Sequence, residues 1–320
     1  MARIGQDIQE AARWLEAEDV VGIPTETVYG LAGNALSEKA LLRIFEVKQR
    51  PFFDPLILHV ATMEAIGQWV SDFPPQAQHL ARMFMPGPLT LVLRKKAIIP
   101  DLVSAGMDTV AIRVPRHPLT QALLASLPFP LAAPSANPFG YISPTTAAHV
   151  DKQLGALIPY ILDGGPCQVG LESTILDFSG EVPVVLRKGG LAVEQLAALL
   201  DNLSVVETSS SNPRAPGMLE SHYAPATPLT LDERLPAKLH IAPEKTGGLC
   251  FDHYFEHLPE SNQYMLSAKG DLEEAARNLF KALRQLETGG YDMIVAEKVP
   301  DTGLGKAIND RLMRAAKALN

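Results

Sequence analysis

The sequence predicts two α/β units: a twisted, mixed-sheet domain over residues 1–203, a linker over 204–228, and a smaller α/β domain over 229–320. Three observations lead there. Short apolar runs closed by proline or glycine alternate with stretches of helical periodicity as far as about residue 200, the pattern of strands interleaved with helices. "SVVETSSSNPRAPGMLESHYAPATP" then interrupts the alternation with serine, proline and little periodicity. Beyond it the alternation resumes over about 90 residues, enough for a small independent domain.

Ile8, Ala11, Ala12 and Leu15 fall at helical spacing, so the chain opens on an amphipathic helix. "VVGIP" (20–24) has the length and flank of a buried strand. Ser37 offers an N-cap to the next helix, with Glu38 in the first turn where the helix dipole favours an anion. Leu41, Leu42 and Phe45 form its apolar face. Pro51 ends it, because the residue before proline is pushed out of the helical region. Further strands are expected at "PLILHV" (55–60), "LTLVL" (89–93), "TVAIRVP" (109–115), "LAAPS" (131–135), "ESTILDF" (172–178) and "PVVLRKG" (183–189). Helices are expected between them around 75–85, 117–126 and 191–201. In the second unit "KLHIA" (238–242), "GGLCF" (247–251) and "DMIVAEKV" (292–299) read as strands, 271–287 as a strongly amphipathic helix, and 305–318 as a closing helix.

Composition narrows the function. At 47% hydrophobic and 20% charged residues this is an ordinary globular chain, and with 6% aromatics its core must rest on Leu, Val, Ile and Ala. A net charge of -8 gives no overall attraction to nucleic-acid phosphates, so RNA binding would need a local basic patch. Cys167 and Cys250 lie far apart with no Cys or His at metal-ligand spacing, which fits a reducing cytosol and argues against a disulfide scaffold. No apolar run reaches about 18 residues, so no membrane span is expected. The N-terminus lacks a basic-then-apolar signal pattern, and a cytoplasmic protein is expected.

Several strand ends carry the same chemistry. "PTETVYG" (24–30) presents Thr25, Glu26 and Thr27 where a buried strand stops, the place α/β sheets bind ligands. "EVKQRP" parks Lys48 and Arg50 at a helix end, "TVAIRVP" buries Arg113 in an apolar strand, and "VLRKGG" ends a strand on Arg187 and Lys188. "PSANPFGYISPTT" (134–146) adds Ser135, Asn137 and Ser143. Taken singly, each has a plainer reading: cations suit helix C-termini, and Ser, Thr and Asn suit turns. Taken together, guanidinium forks, hydroxyls and loop amides are what a triphosphate and a small carboxylate would require. Familiar alternatives are missing. "TGLGKA" (302–307) lacks the spacing and hydroxyl of a phosphate-binding loop, and there is no G-x-G-x-x-G after the first strand, no G-x-S-x-G and no H-E-x-x-H.

"PTETVYGLAGNA", "KQRP", "DPLILHV", "PGPLTLVL", "VAIRVPRHP", "PSANPFGYISPT", "GLESTILD" and "VLRKGG" resemble, in order, the motifs of the YrdC-like threonylcarbamoyl-AMP synthase family. "APGMLESHYAP" (215–225) and "GLGKAINDRLMRAA" (303–316) resemble the linker and extra C-terminal domain of its long form. The resemblance implies a YrdC-like domain followed by a Rossmann-like one. It implies formation of threonylcarbamoyl-adenylate and pyrophosphate from L-threonine, bicarbonate or CO2, and ATP, with Mg²⁺ on the phosphates. Other proteins would then transfer the threonylcarbamoyl group to tRNA, with at most a weak direct contact between this chain and tRNA. The resemblance puts Lys48, Arg50, Asp54, Thr109, Ser135, Asn137, Ser143, Arg187, His222 and Tyr223 around ATP, with Lys48 and Arg50 also as the charge-stabilising catalytic pair. It puts Thr27, His59, Arg113, Ala133 and Ser173 around threonine. Asp54 stands where the family often has Asn, and Leu219 and Ser221 replace basic residues often found in the linker. The alternatives are an RNA-binding module without catalysis and a related carbamoyl-adenylate enzyme; the acidic net charge weighs against the first, and the lack of acylphosphatase-like or zinc-finger segments against the second.

Overall fold

The structure is a computed structural model that describes residues 1–206, 214–219, 222–231 and 242–317. The expected strand at 238–242 lies outside these residues except for Ala242, and so does Ser221.

Eleven strands form one mixed sheet in the first unit: β1 (Arg3–Gly5), β2 (Val21–Ile23), β3 (Gly30–Asn34), β4 (Ile57–His59), β5 (Leu89–Arg94), β6 (Thr109–Arg113), β7 (Leu131–Ala132), β8 (Tyr160–Leu162), β9 (Thr174–Asp177), β10 (Val184–Arg187) and β11 (Ser204–Val205). Their order is β1-β8-β2-β3-β7-β4-β6-β5-β9-β10-β11. Helices α1 (Ile8–Glu16), α2 (Glu38–Lys48), α3 (Ile66–Trp69), α4 (Pro75–Phe84), α5 (Asp101–Ser104), α6 (Pro118–Ser126), α7 (Ala147–Leu154) and α8 (Val193–Ala197) connect them. Among the described residues the second unit has a four-stranded parallel sheet of β12 (Leu229–Leu231), β13 (Thr246–Cys250), β14 (Gln263–Met265) and β15 (Met293–Ala296), in the order β12-β15-β13-β14. Helices α9 (Leu272–Glu287) and α10 (Gly305–Ala316) pack against it.

Local signals account for the main helices. Asp7 accepts from the amides of Gln9 and Glu10 at the start of α1, and Ser37 caps α2 through the Ala40 amide. On α2 the buried face is Leu41, Ile44 and Phe45, whereas Leu42, expected on that face, is 42% exposed. Gly33 in β3 explains how closely α2 lies: a Cβ there would stand 3.1 Å from Ile44 Cδ1 and 3.4 Å from the Ala40 carbonyl.

Two features of the fold position the site. Side chains alternate across a strand, so Ile57 and His59 of β4, Thr109, Ala111 and Arg113 of β6, and Ser173 and Ile175 at β9 share one face of the sheet. Ala215 and Met218 of the linker lie on that face, packed with Ile57, Ala111, Ile175 and Leu186. The second feature is the seam between the units. The second core takes in Val28, Ile142 and Leu171 from the first unit and Tyr223 from the linker. The expected linker is also not free where described: Ser204 and Val205 pair with Val184 and Val185 as the edge strand of the first sheet. That first sheet therefore runs past the expected boundary at 203.

Candidate active site

The two cations of "KQRP" are aimed by the end of α2. Gln49 adopts a left-handed conformation (φ 52°), and the Arg50 amide turns back to the Phe45 carbonyl. Lys48 is 1% exposed, and its Nζ donates to the carbonyls of Ser135 (2.5 Å) and Asn137 (2.6 Å), while its own carbonyl accepts from the Phe139 amide (2.8 Å). Lys48 thus ties down the 134–139 loop. Burial pulls its pKa well below the ordinary lysine value, and the neighbouring Arg50 charge adds to the effect. Arg50 donates Nε to the Asp54 carbonyl (3.0 Å) and Nη2 to the Pro55 carbonyl (2.7 Å). Its Nη2 also stands 2.9 Å from Asp54 Oδ2, an ion contact off-line for a hydrogen bond. Arg50 also lines the pocket.

That pocket lies over the strand ends, and Thr25, Thr27, Arg50, His59, Arg113, Ala133, Ser135, Glu172, Ser173, Arg187, Gly217, His222 and Tyr223 are among its walls. Thr25 and Thr27 share a hydroxyl–hydroxyl bond of 2.8 Å, and the Thr25 hydroxyl closes a turn onto Val28. Arg113 donates to Thr27 Oγ1 (3.0 Å) and is ion-paired with Glu26 (2.6 Å), while its buried Nε has no partner. Glu26 in turn accepts from the Arg116 amide. His59 Nδ1 lies 3.1 Å from the Ile57 carbonyl, so Nδ1 carries the proton and Nε2 is an acceptor. Burial, helped by Arg113, pushes the His59 pKa down to about 3, and this imidazole is neutral. Arg187 grips the start of β9 through the Ser173 carbonyl and hydroxyl, and reaches the Pro216 carbonyl in the linker (3.1 Å). The Ser173 hydroxyl also pairs with Thr90 (2.7 Å).

The linker roofs the pocket. His222 sits edge-on to Phe139, and Tyr223 is stacked on Phe280 of α9. Tyr223 holds a positive φ of 65°, is 1% exposed, and its hydroxyl has no hydrogen-bond partner; neither has His222 Nδ1. Burial among Arg50, Lys48, Arg311 and Arg187 drives the His222 pKa well below the ordinary value. With the roof in place the remaining cavity is about 50 Å³. A much larger groove, about 960 Å³, runs beside α2, but its charged walls, such as Lys39 with Glu18 and Arg43 with Glu46, pair with one another, and it shares only Arg50 with the site.

Among the residues expected around ATP, Arg50, Ser135, Arg187, His222 and Tyr223 line the pocket, and so do all five expected around threonine. Lys48, Asp54, Thr109, Asn137 and Ser143 do not. Asn137 Nδ2 bonds the Pro138 and Tyr141 carbonyls, Ser143 bonds Glu172, and Thr109 sits at the far end of β6 from Arg113. Sequence reasoning did not single out Glu172 or Arg311. Glu172 stands in the quoted "GLESTILD" and Arg311 in "GLGKAINDRLMRAA"; a charged residue next to buried positions was the available signal.

Three arginines, several hydroxyls and a neutral imidazole surround one pocket at the strand ends of this α/β protein, a lining whose chemistry suits an anion. Residues 13–189 match the family described as Telomere recombination, and residues 191–317 match the threonylcarbamoyl-AMP synthase C-terminal domain. A threonylcarbamoyl-AMP synthase of Pyrococcus abyssi (strain GE5 / Orsay) is 40% identical over 97% of this chain and 94% of its own length. One of Bacillus subtilis (strain 168) is 40% identical over 97% of this chain and 92% of its own. The solved structure of P. abyssi Sua5 complexed with L-threonine matches with a TM-score of 0.91 at 37% identity, covering 99% of this chain and 98% of that one. The chain belongs to the threonylcarbamoyl-AMP synthase family.

Proposed function

We propose that this protein is a threonylcarbamoyl-AMP synthase that forms threonylcarbamoyl-adenylate and pyrophosphate from L-threonine, bicarbonate or CO2, and ATP. The observation that carries this reading is the convergence of Arg50, Arg113 and Arg187 on one pocket whose walls also carry Thr25, Thr27, Ser135 and Ser173. In this reading Arg113, with its unpartnered Nε, takes the threonine carboxylate, and Thr27, Ser173 and the His59 Nε2 acceptor hold the polar end of the amino acid. The neutral amine adds to CO2 and loses a proton to solvent, giving a carbamate that is already anionic. A carbamate oxygen forms the new bond to the α-phosphorus of ATP as the bond to the β-phosphate oxygen breaks, and pyrophosphate leaves. No strong base is needed. The chain's task is to align the reactants and neutralise charge, which Arg50 and Arg187 do from fixed positions. Lys48, held on two carbonyls, contributes by fixing the Ser135 loop.

A Mg²⁺ arriving with ATP completes the charge balance on the phosphates. The nearby carboxylates of Asp54, Glu26 and Glu172 are each paired with an arginine, so the phosphate oxygens are the ion's natural partners. The free cavity of about 50 Å³ is small for ATP and threonine together, so the pocket widens as the nucleotide enters. The adenylate then passes to cytoplasmic proteins that load tRNA. The test is pyrophosphate release by the purified chain with mass-spectrometric detection of threonylcarbamoyl-adenylate. Release must require both threonine and bicarbonate; release indifferent to threonine overturns the reading.

A further inference from the structure

Arg311 belongs to α10 in the second unit, yet it is fully buried against the first. Its Nε and Nη2 donate to Glu172 Oε2 at 3.1 and 3.0 Å, and its Nη1 reaches Asp310 at 2.8 Å. Glu172 is 6% exposed and lines the pocket, and its other oxygen accepts from Ser143 Oγ at 2.6 Å. The same guanidinium lies 4.9 Å over the Tyr223 ring, which also stacks on Phe280. One side chain of the second unit therefore holds two elements of the first site: the Ser143 loop, through Glu172, and the Tyr223 roof, directly. Arg284 of α9 reaches the neighbouring Ile142 carbonyl and Gln153 from the same side.

A buried ion pair is a poor way to hold two domains together, because desolvation consumes much of its attraction and a well-packed apolar pair does as well or better. What an apolar pair cannot do is fix a carboxylate that lines the pocket so that one of its oxygens is committed to the Ser143 hydroxyl. Two guanidinium donors of arginine converging on Oε2 set that orientation and leave Oε1 to Ser143. The cation–π contact adds a reason for the strained Tyr223 backbone to stay where it is.

We infer that Arg311 is a positioning residue of the active site, acting through Glu172 on Ser143 and through its ring contact on Tyr223, and that this is how the second unit takes part in catalysis. The inference rests on the proposed synthase reading, since it assigns Arg311 to the nucleotide half of that site. The expected signature is selective: losing the fork weakens nucleotide binding and leaves threonine binding nearly unchanged.

The test uses the full chain. Arg311→Met, Arg311→Lys, Glu172→Gln and the double Arg311→Met/Glu172→Gln are compared by titration with a non-hydrolysable ATP analogue, titration with L-threonine, and thermal melting. Arg311→Met leaves a buried carboxylate unpaired and will melt lower; the double variant removes that charge and regains much of the melting temperature. We expect the analogue Kd to rise at least 10-fold in Arg311→Met and to stay raised in the double variant, with Arg311→Lys between it and the native chain and threonine Kd within about 2-fold throughout. The inference is overturned if the double variant recovers analogue affinity along with stability, or if the two affinities fall in parallel. A native chain that binds neither ligand overturns instead the synthase reading beneath it.

Discussion

Asp54 is fully buried, and neither carboxylate oxygen has a hydrogen-bond partner, although Arg50 stands 2.9 Å away. Burial raises its pKa against the opposing pull of Arg50, Lys48 and Arg187. It balances the surrounding cations, and in the proposed reading it competes with phosphate for Arg50. Asp54→Asn should therefore melt lower without ligand, since breaking a buried pair costs about 3–5 kcal/mol, and gain more from ATP, which supplies the missing negative charge. Thermal melting with and without ATP checks this; an equal ATP-induced rise in both proteins refutes it. His59 supports a second prediction. Its folded pKa of about 3 lies below the ordinary value near 6.5. Below that ordinary value the unfolded chain binds a proton that the fold refuses, so this contribution is intact above about pH 6.5 and drains away as pH falls toward 3. From pH 7 to 5 the native chain should lose about 2 kcal/mol more than His59→Gln by urea unfolding. At this scale the chemistry was legible in part. Arg50, Arg113 and Arg187 announce themselves as cations beside apolar runs. The role of Lys48 as a tie on two carbonyls did not, because a charge on a helix end does not say which neighbour it will meet.

The linker is the element on which the pocket depends most. Gly217 has a φ of 82°, and a Cβ there would stand 2.7 Å from the Tyr223 hydroxyl and 3.1 Å from Arg187 Cδ. Gly217→Ala carries about 1–2 kcal/mol of backbone strain and displaces the roof and Arg187 together. It should weaken binding of an ATP analogue by about 10-fold or more with little change in far-UV circular dichroism; unchanged affinity would mean that the roof does not touch the nucleotide. Elements with strong local signals are the ones sequence reasoning found. Helix α9 is capped by Asp271, which accepts from the Glu273 and Glu274 amides, and its apolar face is continuous. Strand β3, "GLAGN", was passed over because Gly and Ala have little strand propensity; it is a strand only because β2 and β7 pair with it and α2 needs the space. Strands β1, β8 and β11 were missed for a related reason: two or three residues carry too little pattern to register before their partners are known.

At the scale of the whole molecule the question is why the two units act as one. Their seam is set by contacts far apart in sequence, such as Arg311 with Glu172 and Arg284 with Ile142, and no local periodicity encodes such pairs. The backbones come close at Gly170, with a φ of 78°, where a Cβ would lie 2.5 Å from Arg277 Cα and 2.7 Å from the Ala276 carbonyl on α9. Those are backbone atoms of a helix and cannot step aside as a side-chain end could. Gly170→Ala should therefore lever α9 away from the 169–172 segment and pull Arg311 off Glu172, while leaving each sheet and its own helices intact. Apolar contact across the seam, with Val28, Ile142 and Leu171 inside the second core, should make the native chain melt as one unit. The variant, with that contact loosened, should melt in two separated transitions and release pyrophosphate at least 10-fold more slowly. Calorimetry and the pyrophosphate assay on the same preparation decide it. One transition at the native temperature with the native rate would mean that the seam yields without consequence, and that the first unit needs nothing from the second.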